Sequence, residues 1–388
     1  MVTQTDLNYN PLDPETLLNP YPVYARLREN SPVYWHEGMK SWVLTRYADS
    51  KKVLQNHHLF ARDQRRVGRD YPNVRHNVQA LDPPDNLKLR NLLMKAINSL
   101  DIEDIRQRVH NLIQDVFERQ ESKTQFDFMR EVSAPLSLSL SSVLVGIEEP
   151  DLDSYLKISG AIARQMDSGL VPENAEPGNL ARQKLNELVD VWLTTESQSG
   201  IIPYIKQNSQ KSELPDHYVR NTTGTMFNAT FGTLYAAIGN VVLTLLEHPD
   251  VLNRLKDKTL LDTGVDELLR FDGPAQGTSR FSVEKTMIGD TEIQRGDIVL
   301  ILFAAANRDP EIFPQPNDII LDRPKNPRHL SFGWGPHICT GSLFGKLAIT
   351  ELITCLLDSP KQLRLIETPT RRKTATVRCI DAFPVSFQ

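Results

Sequence analysis

The apolar positions of the chain change their spacing twice. Near the start, Pro32 to Trp35 and Ser41 to Thr45 alternate apolar and polar residues on either side of a turn at Gly38, which predicts a hairpin. A short helix over Pro22 to Arg28 precedes it. Another follows from Asp49 to Gln55, with Asp49 or Ser50 as its cap. From Pro84 onward the period is helical. Leu89, Leu92, Leu93 and Ile97 share one face, Leu112, Val116 and Phe117 continue the pattern in the next helix, and Leu136 to Leu144 and Leu180 to Trp192 belong to further helices. His217 to Glu247 lacks Pro throughout and predicts a single helix of about 30 residues, about 45 Å long, ended by Pro249. The pattern then shortens. Ser282 to Ile288, Thr291 to Ile293 and Ile298 to Leu302 read as strands around turns at Gly289-Asp290 and Arg295-Gly296. Arg308 to Arg328 is a proline-rich meander, and helix returns from Thr340 to Leu357. Helix dominates, a minor β region accompanies it, and no linker divides the chain. The expectation is one mostly α domain over residues 1–388.

Composition narrows the class. In 388 residues there are 44 Lys+Arg against 49 Asp+Glu, a formal net charge of -5, with 40% hydrophobic and 24% charged residues. Those values are globular and exclude collagen-like, disordered and disulfide-scaffold chains. Without a basic surplus, no nucleic-acid partner is expected. Three Cys cannot form a disulfide framework, which fits a reducing compartment. Met1 to Tyr24 is polar and Pro-rich, with no apolar run of signal-peptide type. The most apolar stretch, Ala236 to Leu246, is broken by Asn240 and Thr244. A cytoplasmic monomer with no membrane association is expected.

Two segments carry candidate chemistry. Arg62 to Asn77, with Arg62, Arg65, Arg66, Arg69 and Arg75, has no helical period and reads as a long loop. It fits a solvated basic surface or, alternatively, a lid over a site that favours an anionic group. The second segment is Phe332-Gly333-Trp334-Gly335-Pro336-His337-Ile338-Cys339-Thr340-Gly341. Its glycines permit positive φ and close approach to a flat ligand. A Cys just ahead of a helix meets free N–H groups and the positive end of the macrodipole, both of which favour thiolate. A thiolate in such a loop suits a soft metal, although the segment alone also fits a buried structural Cys. No second Cys or nearby His completes a zinc site. Cys355, among Leu352, Leu356 and Leu357, and Cys379, near a terminal strand, read as core residues.

Position by position, the Cys339 segment resembles the haem-binding loop of the cytochromes P450: Phe, Gly, any, Gly, any, His, any, Cys, any, Gly. The likeness extends along the chain to soluble bacterial members. Glu267-Leu268-Leu269-Arg270 has the family's Glu-x-x-Arg pattern. Ala305 to Phe313 resembles the stretch before the meander. Asp82-Pro83-Pro84-Asp85 resembles the lead-in to a haem-contacting helix, and Glu247-His248-Pro249-Asp250 the close of the long helix. The resemblance implies the P450 fold, with haem b (iron protoporphyrin IX) between the long central helix and the helix after the Cys loop. It implies that Cys339 is the proximal thiolate and iron ligand, which favours O–O cleavage, with Phe332, Gly333 and Gly341 shaping its loop. It implies that His337, Arg280 and Arg90 contact the haem propionates, that Ala229 lies against the macrocycle, and that Glu267, Arg270 and an Arg of the meander form a structural ion-pair network. Of Arg323 and Arg328, Arg323 is favoured.

Two departures stand out. Where the family shows Ala/Gly-Gly-x-Asp/Glu-Thr, this chain has Ala229-Thr230-Phe231-Gly232-Thr233. Thr233 is kept as the catalytic alcohol, Gly232 replaces the acid and Thr230 the second Gly. Activation of O₂ needs protons, and Gly232 supplies none; Thr233, Thr230 and Asn228 can only orient water. Asn86 stands where many soluble members have a His and is expected near the haem edge as a neutral donor. The function implied is a haem-thiolate monooxygenase. It inserts one oxygen from O₂ into an apolar small molecule, on which the Arg-rich loop favours an anionic group. Electrons come from a separate ferredoxin served by an NAD(P)H ferredoxin reductase, with Lys95, Lys346 and Arg106 as guesses for the docking face. One alternative is peroxide-driven or non-hydroxylating oxidation (coupling, desaturation, rearrangement) through altered proton delivery. Another, from a different class, is a non-catalytic haem-binding protein. By the same resemblance, pocket walls come from the Arg62–Asn77 loop, the region of Ile158 to Leu185, the long helix near Phe227 and Phe231, and the strand after Pro274.

Overall fold

The computed structural model describes residues 9–388, so the first eight residues of the polar Met1–Tyr24 stretch lie outside the described residues. The long helix runs from Asp216 to Glu247, close to the expected bounds. Phe227, Leu234, Ile238 and Val242 pack into one apolar cluster, and Ala237, Val241 and Leu245 into another. A helix that is apolar all round is buried all round. An 18-residue window of it has a mean hydropathy of 1.6, long and apolar enough for a membrane span, but 72% of that window is buried inside the protein. Among the helices that flank it are Ala134–Val145, Leu152–Gln165, Ala175–Thr194, Leu261–Asp272 and Ser342–Asp358.

The minor β region is chiefly one five-stranded sheet. Its order is Val33–His36, Ser41–Leu44, Ile298–Ile301, Thr278–Ser282, Phe60–Ala61. The first pair is the expected hairpin, with Val33 opposite Leu44 and His36 opposite Ser41. Two expectations need correction. Ser282 to Ile288 is not one strand: Ser282 ends the strand Thr278–Ser282, and Thr286–Ile288 pairs separately with Thr291–Ile293. The helix expected from Asp49 starts at Tyr47, so Asp49 and Ser50 lie inside its first turn and do not cap it. Asp309 supplies the cap from 262 residues away, its Oδ2 accepting from the Tyr47 N–H at 2.8 Å.

The segment after the sheet is braced by charge. Glu267 accepts from Arg270 Nε at 2.7 Å and Nη2 at 2.8 Å, from Arg323 Nη2 at 2.8 Å, and from the Ile320 amide at 2.8 Å. Arg270 also donates to the carbonyls of Asn307, Pro316 and Asp318, and Arg323 to that of Pro314. Burial pushes the Glu267 carboxyl up, but these bonds hold it down to about 2. Arg328 takes no part and lies over the Trp334 ring, 4.5 Å from its centroid. The network ties the helix Leu261–Asp272 to the meander that leads into the Cys339 loop.

Candidate active site

Two lobes of cavity, each of about 290 Å³, lie under the long helix. The inner lobe is walled on one side by Ala229, Thr230, Thr233, Leu234 and Ala237 of that helix, and on the other by Phe332, Gly333, Cys339 and Gly341. The outer lobe is roofed by the Arg62–Asn77 segment and by the helices Leu152–Gln165 and Ala175–Thr194. Arg62, Gln79, Met166, Ala229, Thr233, Ala275 and Gly277 line both, so the two are continuous.

The Cys339 wall is fixed by backbone. Gly333 and Gly335 sit at φ 68° and 71°, a region costly for other residues. A Cβ on Gly335 would lie 2.4 Å from the Leu54 carbonyl oxygen. The Cys339 amide donates to Phe332 O at 2.8 Å, closing the loop. Cys339 is exposed to the lobe while protein encloses it on its other sides. Burial pushes its thiol up, whereas the amides of Gly341 and Ser342 and the Arg90 charge pull it down. The net direction is upward. The expected pull of the loop and helix-start amides toward thiolate is present, and burial of the uncoordinated thiol outweighs it.

The long-helix wall is fixed by side chains. Thr233 Oγ1 donates to its own helix at Ala229 O, 2.6 Å away, leaving its lone pairs toward the lobe. Thr230 lines only the inner lobe and Gly232 only the outer one. A Cβ on Gly232 would lie 3.3 Å from Ser159 Oγ, so the helix Leu152–Gln165 faces that position. Phe231 lines the outer lobe, but Phe227 does not; it is buried against Tyr155 and Trp192 at 4.8 Å. Among the described residues, no Asp or Glu lines either lobe.

Cations gather at one edge of the inner lobe. Arg280 donates to Ser279 O at 2.8 Å, and burial pushes it down to about 9, with Arg62 adding to the push. Arg90 donates to Ile338 O at 2.6 Å. His337 Nε2 lies 3.1 Å from Asp82 Oδ1, and its buried Nδ1 has no partner. Burial holds His337 down to about 4 against that bond, so the ring is neutral and donates from Nε2. Burial pushes Asp82 up, but His337 and the amides of Arg62 and Asp63 bring it down to about 2. Asn86 is the exception among the expected residues: it does not line the lobe. Its Nδ2 is spent on Val78 O at 2.6 Å, and its Oδ1 is buried without a partner. Arg62, which sequence reasoning treated only as one Arg of a loop, belongs to this edge. It donates to Gln79 O, Thr278 Oγ1 and Ser279 O, and no carboxylate pairs with it among the described residues. Its signal was its place three residues beyond Leu59, at the end of the short apolar run that forms the last strand of the sheet.

The residues matched by a family model for cytochrome P450 run from 173 to 361 and include Cys339 and the Glu267 pair. Cytochrome P450 107B1 of Saccharopolyspora erythraea is 28% identical over 384 residues, covering 93% of each chain. The biotin biosynthesis cytochrome P450 of Bacillus subtilis is 27% identical over 96% of this chain and 98% of its own. The solved structure of CalO2 matches with a TM-score of 0.88 over 98% of this chain and 99% of its own, at 24% identity. The chain belongs to the cytochrome P450 family. This P450 is an oxidoreductase with the P450 fold, and its family binds haem through a Cys thiolate. The inner lobe fits that group. It is apolar between its walls and contains no carboxylate. On one edge it has three guanidiniums with no paired carboxylate among the described residues, as two propionates need. Gly341 and Gly345 leave open space where side chains would fill it.

Proposed function

We propose that residues 1–388 act as one catalytic domain, a haem-thiolate monooxygenase that inserts one oxygen of O₂ into an apolar small molecule. Electrons arrive from a separate ferredoxin and its NAD(P)H reductase, in the cytoplasm. The observation that carries this reading is the pairing of Cys339 with Thr230 and Thr233 on opposite walls of one lobe. Bound there through Cys339, haem supplies the one-electron and O₂ chemistry. The residues of this chain do the rest. Coordination deprotonates a thiol outright, and the amides of Gly341 and Ser342 donate to the sulfur so formed. Arg62, Arg90 and Arg280 neutralise the propionates, and His337 joins them once propionate charge draws a second proton onto its ring. Thr233, its proton committed to Ala229 O, accepts from water and orients it. Thr230 offers a second hydroxyl one turn earlier. Neither is an acid at neutral pH, and none lines the lobes. Protons therefore reach the site through water or through a hydroxyl of the substrate. That observation favours the second reading, altered proton delivery with peroxide-driven or non-hydroxylating oxidation.

Of the cations guessed for donor docking, Lys346 is paired with Asp262 and Asp266 at 2.9 and 3.0 Å, and Arg106 with Glu103 at 3.3 Å. Lys95 is exposed and remains the better candidate. The deciding measurement is the absorption spectrum of the reduced, carbon monoxide-bound protein. The thiolate signature is expected in the wild type and is lost in Cys339→Ser. Survival of that signature in the variant overturns the assignment.

A further inference from the structure

The outer lobe carries charge that the haem reading does not use. Arg182, from the helix Ala175–Thr194, and Arg75, from the loop opposite, both line it. Each guanidinium meets only neutral acceptors: Arg182 Nε donates to Gln165 Oε1 at 2.6 Å, and Arg75 Nη2 to Asn179 Oδ1 at 3.0 Å. Gln165 Nε2 bridges to the same Asn179 oxygen at 2.7 Å, so one amide relay fixes both cations. Burial lowers the Arg182 pKa, the Arg75 charge adds to that, and Tyr71 opposes it. Neither guanidinium has a carboxylate at ion-pair distance among the described residues. By contrast, Arg372 in the same lobe is paired with Asp381 at 3.3 Å. Two forked donors held close together without a counter-charge are complementary to an oxyanion.

Position adds meaning. Arg75 and Arg182 line only the outer lobe, Thr233 lines both, and Cys339 lines only the inner. Leu156, Ile162, Met166 and Phe231 give the same outer lobe its apolar lining. We propose that Arg75 and Arg182 form the head-group site for an amphiphilic substrate, whose terminal oxyanion binds there while its hydrocarbon body runs inward past Thr233. The proposal rests on the monooxygenase reading above and assigns its substrate class. The oxidised carbon then lies remote from the charged end. A C–H bond there becomes C–OH, and the second oxygen atom of O₂ leaves as water, with two electrons and two protons supplied through the donor and solvent. A head group held at this distance does not replace the acid missing at Gly232.

The test is a ferric spin-state titration of the haem-loaded full chain with dodecanoic acid, dodecyl phosphate and methyl dodecanoate. An anion is expected to bind at least about tenfold tighter than the ester, about 1.4 kcal/mol. The order of the two anions assigns the head group as carboxylate or phosphate. Arg182→Gln and Arg75→Gln each reduce the anion-to-ester ratio several-fold, and the double variant abolishes it. Products from dodecanoic acid carry the hydroxyl toward the methyl end. A ratio near one in the wild type, a ratio untouched in the double variant, no shift with any of the three probes, or hydroxylation beside the carboxylate overturns the proposal. The reduced carbon monoxide spectrum separates the two levels. A normal spectrum with a failed titration sinks only the head-group site, whereas an absent thiolate signature in the wild type sinks the monooxygenase reading and this site with it.

Discussion

The two walls of the inner lobe are built on opposite plans. Around Cys339 the shape comes from main chain: two glycines at positive φ, the Cys339 amide on Phe332 O, and a meander pinned by Glu267, Arg270 and Arg323. Across the lobe, an unbroken helix presents Ala229, Thr230 and Thr233 as side chains on regular backbone. A change of side chain in the first wall disturbs geometry; in the second it changes chemistry and leaves the helix intact. The Cys339 wall is thus constrained at its glycines and its brace, while the helix wall can change side chains without changing its backbone. This chain uses that freedom at Gly232.

The largest effect should come from removing the charge that braces the first wall. Glu267→Gln keeps the shape but leaves Arg270 and Arg323 buried with one neutral partner, at a cost of about 3–5 kcal/mol in urea unfolding of the haem-loaded protein. The pH dependence follows with a definite sign. Glu267 is lowered from 4.5 to about 2 in the folded chain, so the unfolded chain binds the proton more tightly. Its contribution is full above pH 4.5, shrinks as pH falls, and is gone below about 2; linkage puts it on the order of 3 kcal/mol. The variant should lose that slope. Equal stability at neutral pH in variant and wild type would show that the first wall does not depend on this brace.

These contrasts also explain what could be read in advance. The Cys339 loop was legible because backbone constraint writes itself as glycines at fixed spacing. The long helix was legible because Pro is absent until Pro249. Arg62 was not, since an Arg in a polar loop looks alike whether it faces solvent or a cavity; only the fold brings it to Thr278 and Ser279, over 200 residues away. Asn86 was misplaced for the converse reason. Its position in the helix Asp85–Asn98 matches the family, but the short amide ends on Val78 O before reaching the lobe. Asp309 capping the helix at Tyr47 is equally invisible in a local window.

A smaller effect separates the glycines of the two walls. Gly335→Ala forces a β-carbon toward the Leu54 carbonyl at φ 71° and should cost about 1–3 kcal/mol, read as a lower melting temperature and faster haem loss. Gly232→Ala lies in regular helix, where the same substitution gains up to about 1 kcal/mol, reduced by the 3.3 Å contact with Ser159 Oγ. If both substitutions were equally harmful, the second wall would be as constrained as the first.

The smallest change in stability should carry the most specific change in chemistry. Gly232→Asp restores a carboxyl one residue before Thr233. The backbone accepts it at a helix-propensity difference of less than about 1 kcal/mol relative to Gly, and Ser159 can rotate away or donate to it. The position faces the outer lobe and adjoins Thr233, which lines both lobes, so a water held between them would gain an acidic neighbour. If proton supply limits donor-driven turnover, the variant should convert a larger fraction of electrons into product and release less hydrogen peroxide. Turnover driven by added peroxide, which brings its own protons, should change less. The informative quantity is the ratio of the two, measured on one substrate with Gly232→Ala as the steric control. A rise confined to the donor-driven arm places the deficit at the missing acid. An equal change in both arms, matched by Gly232→Ala, would mean that residue 232 acts through packing against Ser159 and that protons reach the lobe by a route independent of it.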